Sequence, residues 1–321
     1  MATYPNPAMI AFLKSLLSFQ PTTWIEMLNY ARKKKERFEA ICHHLKTNRF
    51  DVVFLQEVWF KKDYDRLKTC LEGENYEFSN FDSECGANPV RQHFIACKVS
   101  KLNEYNFQMS VSNCSGLITL SKFKLRKEQT ASLPKGEDYK TYKGIEDLTL
   151  YAEFAINRKI LMHDILVAKG LKIRLINTHF NPYEEFRQLR GKQAREVKRS
   201  LGKKGDFDVA ILALDMNDCP MINGTKKWTP AYKVLNEEVG FNDGYNFWFV
   251  MKVTYPITFS DPTNSWFDES GNEQPQTLDY IMIRDQSGMK ISEFVEIKVE
   301  DLKTDDGVSF SDHNSVTATI K

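Results

Sequence analysis

The stretch Phe50-Asp51-Val52-Val53-Phe54-Leu55-Gln56-Glu57-Val58-Trp59 places a short apolar run directly before a polar Gln-Glu pair. An apolar run of this length is typical of a strand that is buried on both faces of a sheet. The carboxylate of Glu57 then lies where this strand ends. Because binding and catalytic groups often follow strand ends, the stretch predicts a sheet core and a candidate site together.

Four other segments repeat this arrangement of an apolar run beside polar residues. The polar groups are Asn177-Thr178-His179 after Ile173–Ile176, Asp215-Met216-Asn217 after Val209–Leu214, Asp279 in the run that opens with Leu278, and Ser311-Asp312-His313 before the last strand. Strand ends can meet at one rim of a sheet. We therefore expect these groups and Glu57 to share one cleft.

The residue types in these segments favour metal-assisted chemistry. They supply Glu, Asp, Asn and His, and the sequence has neither a GxSxG nucleophile motif nor an HExxH zinc motif. Carboxylate oxygens suit Mg²⁺, which usually takes one or two protein carboxylates and leaves room for a substrate phosphate. The histidines then provide a base and a donor to a developing anion.

The remaining pattern predicts a single α/β (α+β) domain over residues 1–321. Apolar residues at helical spacing indicate helices over about Ile25–Leu45 and Tyr183–Leu201. Strand-length runs separated by turn formers account for most of the rest, among them Gly116–Leu120, Leu148–Ile156, Ile160–Val167, Leu171–Ile176, Leu278–Ile283, Ile291–Val299 and Val316–Ile320. No linker or repeat divides the chain.

Charge and hydropathy limit the choice of partners. Lys and Arg (44) nearly balance Asp and Glu (43), so no global basic field indicates a nucleic-acid ligand. No apolar stretch approaches the roughly 18 residues that cross a bilayer. The short apolar run Met9–Leu17 lacks a basic flank, which argues against a signal peptide. We expect a soluble monomer, peripheral to membranes and either cytoplasmic or secreted.

Taken in order and spacing, these five segments resemble the motif set of the endonuclease/exonuclease/phosphatase, or DNase-I-like, superfamily. Within it, the chain is most similar to neutral sphingomyelinases, on the stretches Phe50–Trp59, Ser115–Lys122 and Gly240–Asp243 and on the His of Asn-Thr-His. The resemblance covers roughly Arg37 to the C-terminus. It implies a four-layer α/β/β/α sandwich with two packed sheets.

The resemblance also implies a metal site and a base. Glu57 is expected to be the main Mg²⁺ ligand, with Asp312 supporting the site; Mn²⁺ or Co²⁺ could replace Mg²⁺. His313 is expected to be the general base that activates water, and Asp279 to orient its imidazole. The reaction would be an in-line attack on phosphorus without a covalent intermediate.

Three more residues are expected to act on the phosphate. Asp215 and Asn217 would position the nucleophile and bind a phosphate oxygen, and His179 would donate to the phosphoryl oxygens as charge develops.

The chain departs from the family pattern in three places. The region Phe12–Pro21 offers no Asn for the end of the first strand, and Leu214 stands where the family has a Gly, which predicts crowding at the cleft floor. Arg158-Lys159 stands where many sphingomyelinases have Lys-Gly.

The expected substrate is sphingomyelin at a bilayer surface, and the products are ceramide and phosphocholine. The aromatic residues Phe247, Trp248 and Phe249 are candidate membrane contacts, because aromatic rings are favoured at lipid interfaces. A buried strand explains the same pattern. The alternatives are a DNase-I-like or abasic-type nuclease, and a binding protein on a catalytically inactive scaffold.

Overall fold

A computed structural model of the chain describes residues 21–58, 61–81, 115–135, 157–167, 170–182, 184–220, 228–243, 245, 256–259, 261–265, 275–288 and 295–320, with the backbone alone over 21–34. The helices are α1 (Pro21–Asn48), α2 (Lys61–Cys70), α3 (Arg187–Ser200) and α4 (Pro230–Lys233), with a 3-10 turn at Glu184–Phe186 and a π-helical turn at Val234–Val239. The strands are β1 (Val52–Leu55), β2 (Glu77–Phe78), β3 (Ile118–Ser121), β4 (Arg126–Ser132), β5 (Lys159–Leu166), β6 (Lys172–His179), β7 (Val209–Asp215), β8 (Asn242–Asp243), β9 (Asp279–Asp285), β10 (Val295–Glu300) and β11 (Ser315–Ile320).

These strands form three hydrogen-bonded sheets. The largest has six strands in the order β4-β5-β6-β7-β9-β8, and a three-stranded sheet has the order β1-β3-β2. Strands β10 and β11 pair as an antiparallel hairpin. Within the six-stranded sheet, β6 and β7 run parallel and the other neighbours antiparallel. Helix α3 connects the two parallel strands, as a crossover between parallel strands requires.

The structure has four layers, two sheets between two layers of helices, and apolar side chains on both faces of the strands pack between them. In β1, Val53 and Leu55 pack with α1 and α2, whereas Val52 and Phe54 pack with apolar residues of the six-stranded sheet. In β7, Val209 and Ile211 belong to that inter-sheet cluster. Ala210, Leu212 and Leu214 alternate with them and pack in the cluster that contains residues of α3 and α4. Because both sheets are buried on two faces, the predicted α/β/β/α sandwich of the DNase-I-like fold is confirmed.

The outer helices form where apolar residues recur at helical spacing. Phe38, Ile41, Cys42 and Leu45 make the buried stripe of α1. A disulfide joins Cys42 to Cys70 of α2, with their Cα atoms 6.2 Å apart. None of the helices in these described ranges is both long and apolar enough to cross a membrane.

The strand predictions agree with the structure where it describes them. Residues 291–294 of the predicted strand Ile291–Val299 lie outside the described residues. The predicted strand Leu148–Ile156 lies outside the described residues. Strand β4 has the sequence Arg-Lys-Glu-Gln-Thr-Ala-Ser and has no apolar run that could have predicted it. The single-domain organisation stays a prediction.

Candidate active site

Three polar residues lie in register across three neighbouring strands. His179 ends β6 and pairs with Asp215, which ends the parallel strand β7. Asp215 in turn pairs with Asp279, which begins the antiparallel strand β9. An antiparallel strand begins at the edge where its neighbour ends. The sheet therefore brings the three side chains to one edge, as the sequence predicts.

His313 reaches this row from the segment before β11. Its Nδ1 donates to Oδ2 of Asp279 at 2.8 Å, which leaves Nε2 on the far side of the ring. That Nε2 lies 4.0 Å from Oδ2 of Asp215. Burial alone would lower the pKa of His313, but the carboxylates of Asp279 and Asp215 outweigh it and raise this pKa well above its ordinary value. A cation bound among the carboxylates would oppose this rise.

His179 and Asn217 form the other end of the row. The side-chain amide of Asn217 donates to the carbonyl of Phe180 at 3.0 Å and contacts Nε2 of His179 at 2.9 Å. The same Nε2 lies 3.3 Å from Oδ2 of Asp215. Burial, followed by the charge of Arg158, lowers the pKa of His179 well below its ordinary value. The His179 imidazole is therefore neutral at neutral pH.

Asp215 lies between the two histidines. Burial and the charge of Asp279 raise the pKa of Asp215 to about 7, although His313 acts in the opposite direction. The backbone N–H of Asn217 donates to Oδ1 of Asp215 at 2.9 Å. Asn217 adopts a positive φ of 52°, which this side chain tolerates better than most. The tight turn after β7 thus directs both side chains to the same place.

Glu57 leaves β1 through a backbone conformation that is unusual for its residue type. Its φ is 60°, and the neighbouring Val58 N–H donates to the carbonyl of Gly116 at 2.9 Å. A side chain on Gly116 would come within 2.9 Å of the Glu57 Cα, so only glycine allows this approach. Burial, and then the charge of Asp312, raise the pKa of Glu57 to about 7. The two carboxylates predicted as metal ligands are therefore electrostatically coupled.

The donor set fits a divalent cation. Ligand atoms of Asp215, Asp279 and His313 lie within 4.8 Å of one another and could hold a metal ion. Glu57 and Asp312 add a second pair of carboxylates whose mutual repulsion a cation would relieve. Hard oxygen donors together with one imidazole suit a hard or borderline metal.

Two residues of the site, Arg158 and Asn177, had no role assigned to them from the sequence. Arg158 is buried, and its guanidinium donates to the backbone carbonyl of His179 at 3.4 Å. Asn177 is also buried: its amide donates to the carbonyls of Leu55 and Ile118, and its Oδ1 accepts from Gln56 at 2.8 Å. Asn177 therefore ties the six-stranded sheet to the strand that carries Glu57. The sequence places Asn177 in a polar segment expected to share the cleft and Arg158 where many sphingomyelinases have Lys, but it does not show which groups these side chains contact.

Two further expectations from the sequence concern Leu214 and the aromatic segment Phe247–Phe249. Leu214 packs in the core cluster between the six-stranded sheet and the helices, so the predicted crowding of the cleft floor by this side chain was wrong. The candidate membrane contacts Phe247, Trp248 and Phe249 lie outside the described residues. Tyr245, at the start of that aromatic segment, is buried and donates to the Asp279 carbonyl at 3.0 Å.

Residues 17–313 match the family model described as Endonuclease/Exonuclease/phosphatase family. The chain therefore belongs to this family. With the acid and histidine cluster described above, it is a metal-dependent phosphoesterase of that family. A search of the curated proteins gave no match.

Several solved structures share the fold at low sequence identity. SmcL aligns with a TM-score of 0.60 at 17% identity, covering 89% of this chain and 92% of its own. A beta toxin from Staphylococcus aureus aligns with a TM-score of 0.58 at 19% identity, covering 89% and 92%. D. rerio TDP2, complexed with a single-strand DNA product, aligns with a TM-score of 0.58 at 16% identity, also covering 89% and 92%. At these identities the likeness is one of fold.

Proposed function

We propose that the protein is a Mg²⁺-dependent phosphodiesterase that hydrolyses sphingomyelin to ceramide and phosphocholine. The observation that carries the reaction type is the pair His313 and Asp279. The 2.8 Å hydrogen bond holds Nδ1 as the protonated nitrogen, so in the neutral ring, which a bound cation would favour, Nε2 is the atom that takes a proton from water. The resulting hydroxide forms the new P–O bond, and the bond from phosphorus to the ceramide oxygen breaks. The ceramide oxygen takes up a proton from solvent, and His313 releases its proton to solvent.

The charged groups around this base would stabilise the reacting phosphate. Glu57 and Asp312 would hold Mg²⁺, or Mn²⁺ or Co²⁺ in its place. When bound, this cation would neutralise negative charge on the phosphoryl and leaving oxygens. Asp215 and Asn217 would orient the water and a phosphate oxygen. His179 is neutral, and a phosphoryl oxygen beside its Nε2 would favour the tautomer that carries the ring proton on this atom, so that it donates without a change of net charge.

The choice of sphingomyelin rests on the sequence. The stretches Phe50–Trp59, Ser115–Lys122 and Gly240–Asp243 resemble neutral sphingomyelinases. The formal net charge of +1 does not supply the phosphate-tracking field that a nuclease needs. An aromatic segment such as Phe247–Phe249 offers local affinity for a lipid interface.

The decisive assay offers the pure protein sphingomyelin vesicles and plasmid DNA, each with Mg²⁺ and with EDTA. We expect release of phosphocholine in Mg²⁺ alone and no nicking of DNA. The His313→Ala variant is the control for a contaminating hydrolase. Cleavage of DNA with intact vesicles would instead support the nuclease alternative, and failure to bind Mg²⁺ would support an inactive scaffold.

The membrane contact has its own test in Trp248→Ala. If this ring inserts into the bilayer, activity on vesicles should fall more than activity on a soluble phosphodiester analogue, with an unchanged melting temperature. Trp228→Ala is the matched control, because Trp228 stacks on Tyr232 with ring centroids 4.8 Å apart and should act through stability. Equal losses of Trp248→Ala on both substrates, with a lower melting temperature, would indicate core packing instead.

A further inference from the structure

The segment 256–259, called here the Thr258 segment, lies between the backbone that leads into Asp279 and the backbone of His313. Its backbone pairs with Gln276 on one side, where Thr258 N–H and Phe259 N–H both donate to the Gln276 carbonyl. On the other side, Phe259 forms an isolated β-bridge with His313. The segment therefore acts as a short strand between the approach to β9 and the approach to β11.

The Thr258 hydroxyl holds the start of β9. Its Oγ1 accepts from the backbone N–H of Leu278 at 2.8 Å and from that of Asp279 at 3.1 Å. Thr258 is fully buried, so water does not replace these bonds. The backbone of the residue that orients the base is thus fixed by one side-chain oxygen.

The same residue also holds the His313 side. The Thr258 carbonyl accepts from the backbone N–H of Asn314 at 2.7 Å. The side-chain amide of Asn314 donates to the Ile257 carbonyl at 2.9 Å and to Oδ2 of Asp261 at 2.8 Å. The ring of Phe259 packs against the His313 ring with centroids 4.9 Å apart. Thr258 is therefore hydrogen-bonded both to the backbone of Asp279 and to the backbone of Asn314, the residue after His313.

We propose that Thr258 is a positioning residue that sets the distance and orientation between Asp279 and His313. This inference rests on the proposed hydrolytic function of the pair. Among the described residues, Thr258 forms its hydrogen bonds with backbone groups and with neither catalytic side chain. It therefore acts through the backbone N–H groups of Asp279 and Asn314. Removing its hydroxyl leaves two buried N–H groups without their acceptor, so the start of β9 must shift to satisfy them.

The test compares three variants of nearly equal size. Thr258→Val removes the hydroxyl, Thr258→Ser keeps it, and Thr119→Val makes the first change at a buried threonine of β3. Among the described residues, the Thr119 hydroxyl has no hydrogen-bond partner. We expect Thr258→Val to lower kcat about 10- to 100-fold, on the scale of a misplaced catalytic group, with KM nearly unchanged. Thr258→Ser and Thr119→Val should remain near the wild-type rate.

A proton NMR readout separates positioning from a loss of stability. The Nδ1 proton of His313 should resonate far downfield because it is shared with a carboxylate, and it is assigned by its absence in His313→Ala. In Thr258→Val this resonance should move upfield or broaden, and in Thr258→Ser it should persist. A folded Thr258→Val with the wild-type resonance and kcat would overturn the proposal.

If Thr258→Val does not fold, Thr258→Ala takes its place, because the smaller side chain lets water reach the two N–H groups. The Nδ1 proton resonance of His313 and kcat are then measured in Thr258→Ala, and wild-type values of both would overturn the proposal. If wild type leaves sphingomyelin intact, the proposed function fails, whereas the resonance in the Thr258 variants still tests the positioning role.

Discussion

Replacing Glu57 with Gln should stabilise the metal-free protein and at the same time abolish its stabilisation by Mg²⁺. Burial and the charge of Asp312 raise the pKa of Glu57 from 4.5 to about 7. This shift corresponds to roughly 3 kcal/mol of unfavourable free energy for the ionised carboxylate. Because the folded chain holds the proton more tightly than the unfolded chain, the cost is absent below about pH 4.5 and complete above about pH 7.

Glutamine carries no charge, so the variant should avoid most of this cost. Since Glu57 is only partly buried by surface area, we expect a gain of about 1–3 kcal/mol at about pH 8 in EDTA, which is about 1.5–4.5 °C in melting temperature for a chain of this length. The amide is a poor ligand for a hard cation. Mg²⁺ at about 100 times its Kd should therefore add roughly 2.7 kcal/mol to wild type and almost nothing to the variant.

Thermal unfolding of both proteins in EDTA and in Mg²⁺ measures the two effects together. Glu185→Gln, a change at an exposed carboxylate, serves as the control and should leave both melting temperatures unchanged. A Glu57→Gln variant that is less stable than wild type in EDTA would contradict the cost assigned to the ionised carboxylate. Equal stabilisation of both proteins by Mg²⁺ would show that Glu57 is not the metal ligand.

Three further predictions concern the base, the core and a buried histidine. His313→Ala should lower kcat on the order of 10²–10⁴-fold, and Asp279→Asn less, because an orienting group acts indirectly; equal rates for wild type and His313→Ala would place the base elsewhere. Leu212→Ala, in the fully buried centre of β7, should reduce the free energy of unfolding by about 2–5 kcal/mol in denaturant titration, and a loss below about 1 kcal/mol would contradict the packing described. Burial lowers the pKa of His163, so the unfolded chain takes up a proton at a higher pH than the folded chain does. The free energy of unfolding should therefore fall as the pH drops below about 6.5. His163→Leu should flatten this fall in melting temperature; parallel pH profiles for the two proteins would exclude His163 as its source.

The sequence predicted those parts of the fold that depend on burial. The run Val209–Leu214 and the segment after Asp51 are apolar throughout because both faces of their strands are covered. Strand β4 escaped prediction because it lies at the edge of the six-stranded sheet, where its exposed charged side chains follow no apolar pattern. Helix α2 was also missed, since only a few of its residues, such as Tyr64 and Leu67, are both apolar and buried.

The candidate site likewise contains residues whose positions could be predicted from the sequence and residues whose positions could not. Residues at strand ends, such as His179 and Asp215, could be predicted because strand position determines where their side chains lie. Thr258 and Arg158 could not, since their contacts are to backbone groups that are remote in sequence. Nothing in a residue's own identity shows which distant N–H or carbonyl it will meet.

The register between β7 and β9 links the packing of the core to the position of the candidate catalytic pair. Asp215 pairs with Asp279 only because Leu214 pairs with Tyr280 and Leu212 with Met282 in the same ladder. All four of these neighbours belong to the core cluster beneath the helices. A slip of β9 by one residue would turn Tyr280 and Met282 toward the inter-sheet face and move Asp279 away from Asp215. Tyr280 and Met282 of β9 face the helices and the isoleucines beside them face the other sheet, and this alternation fixes where Asp279 meets His313. Core substitutions that keep this alternation should cost stability before they alter the geometry of the catalytic pair.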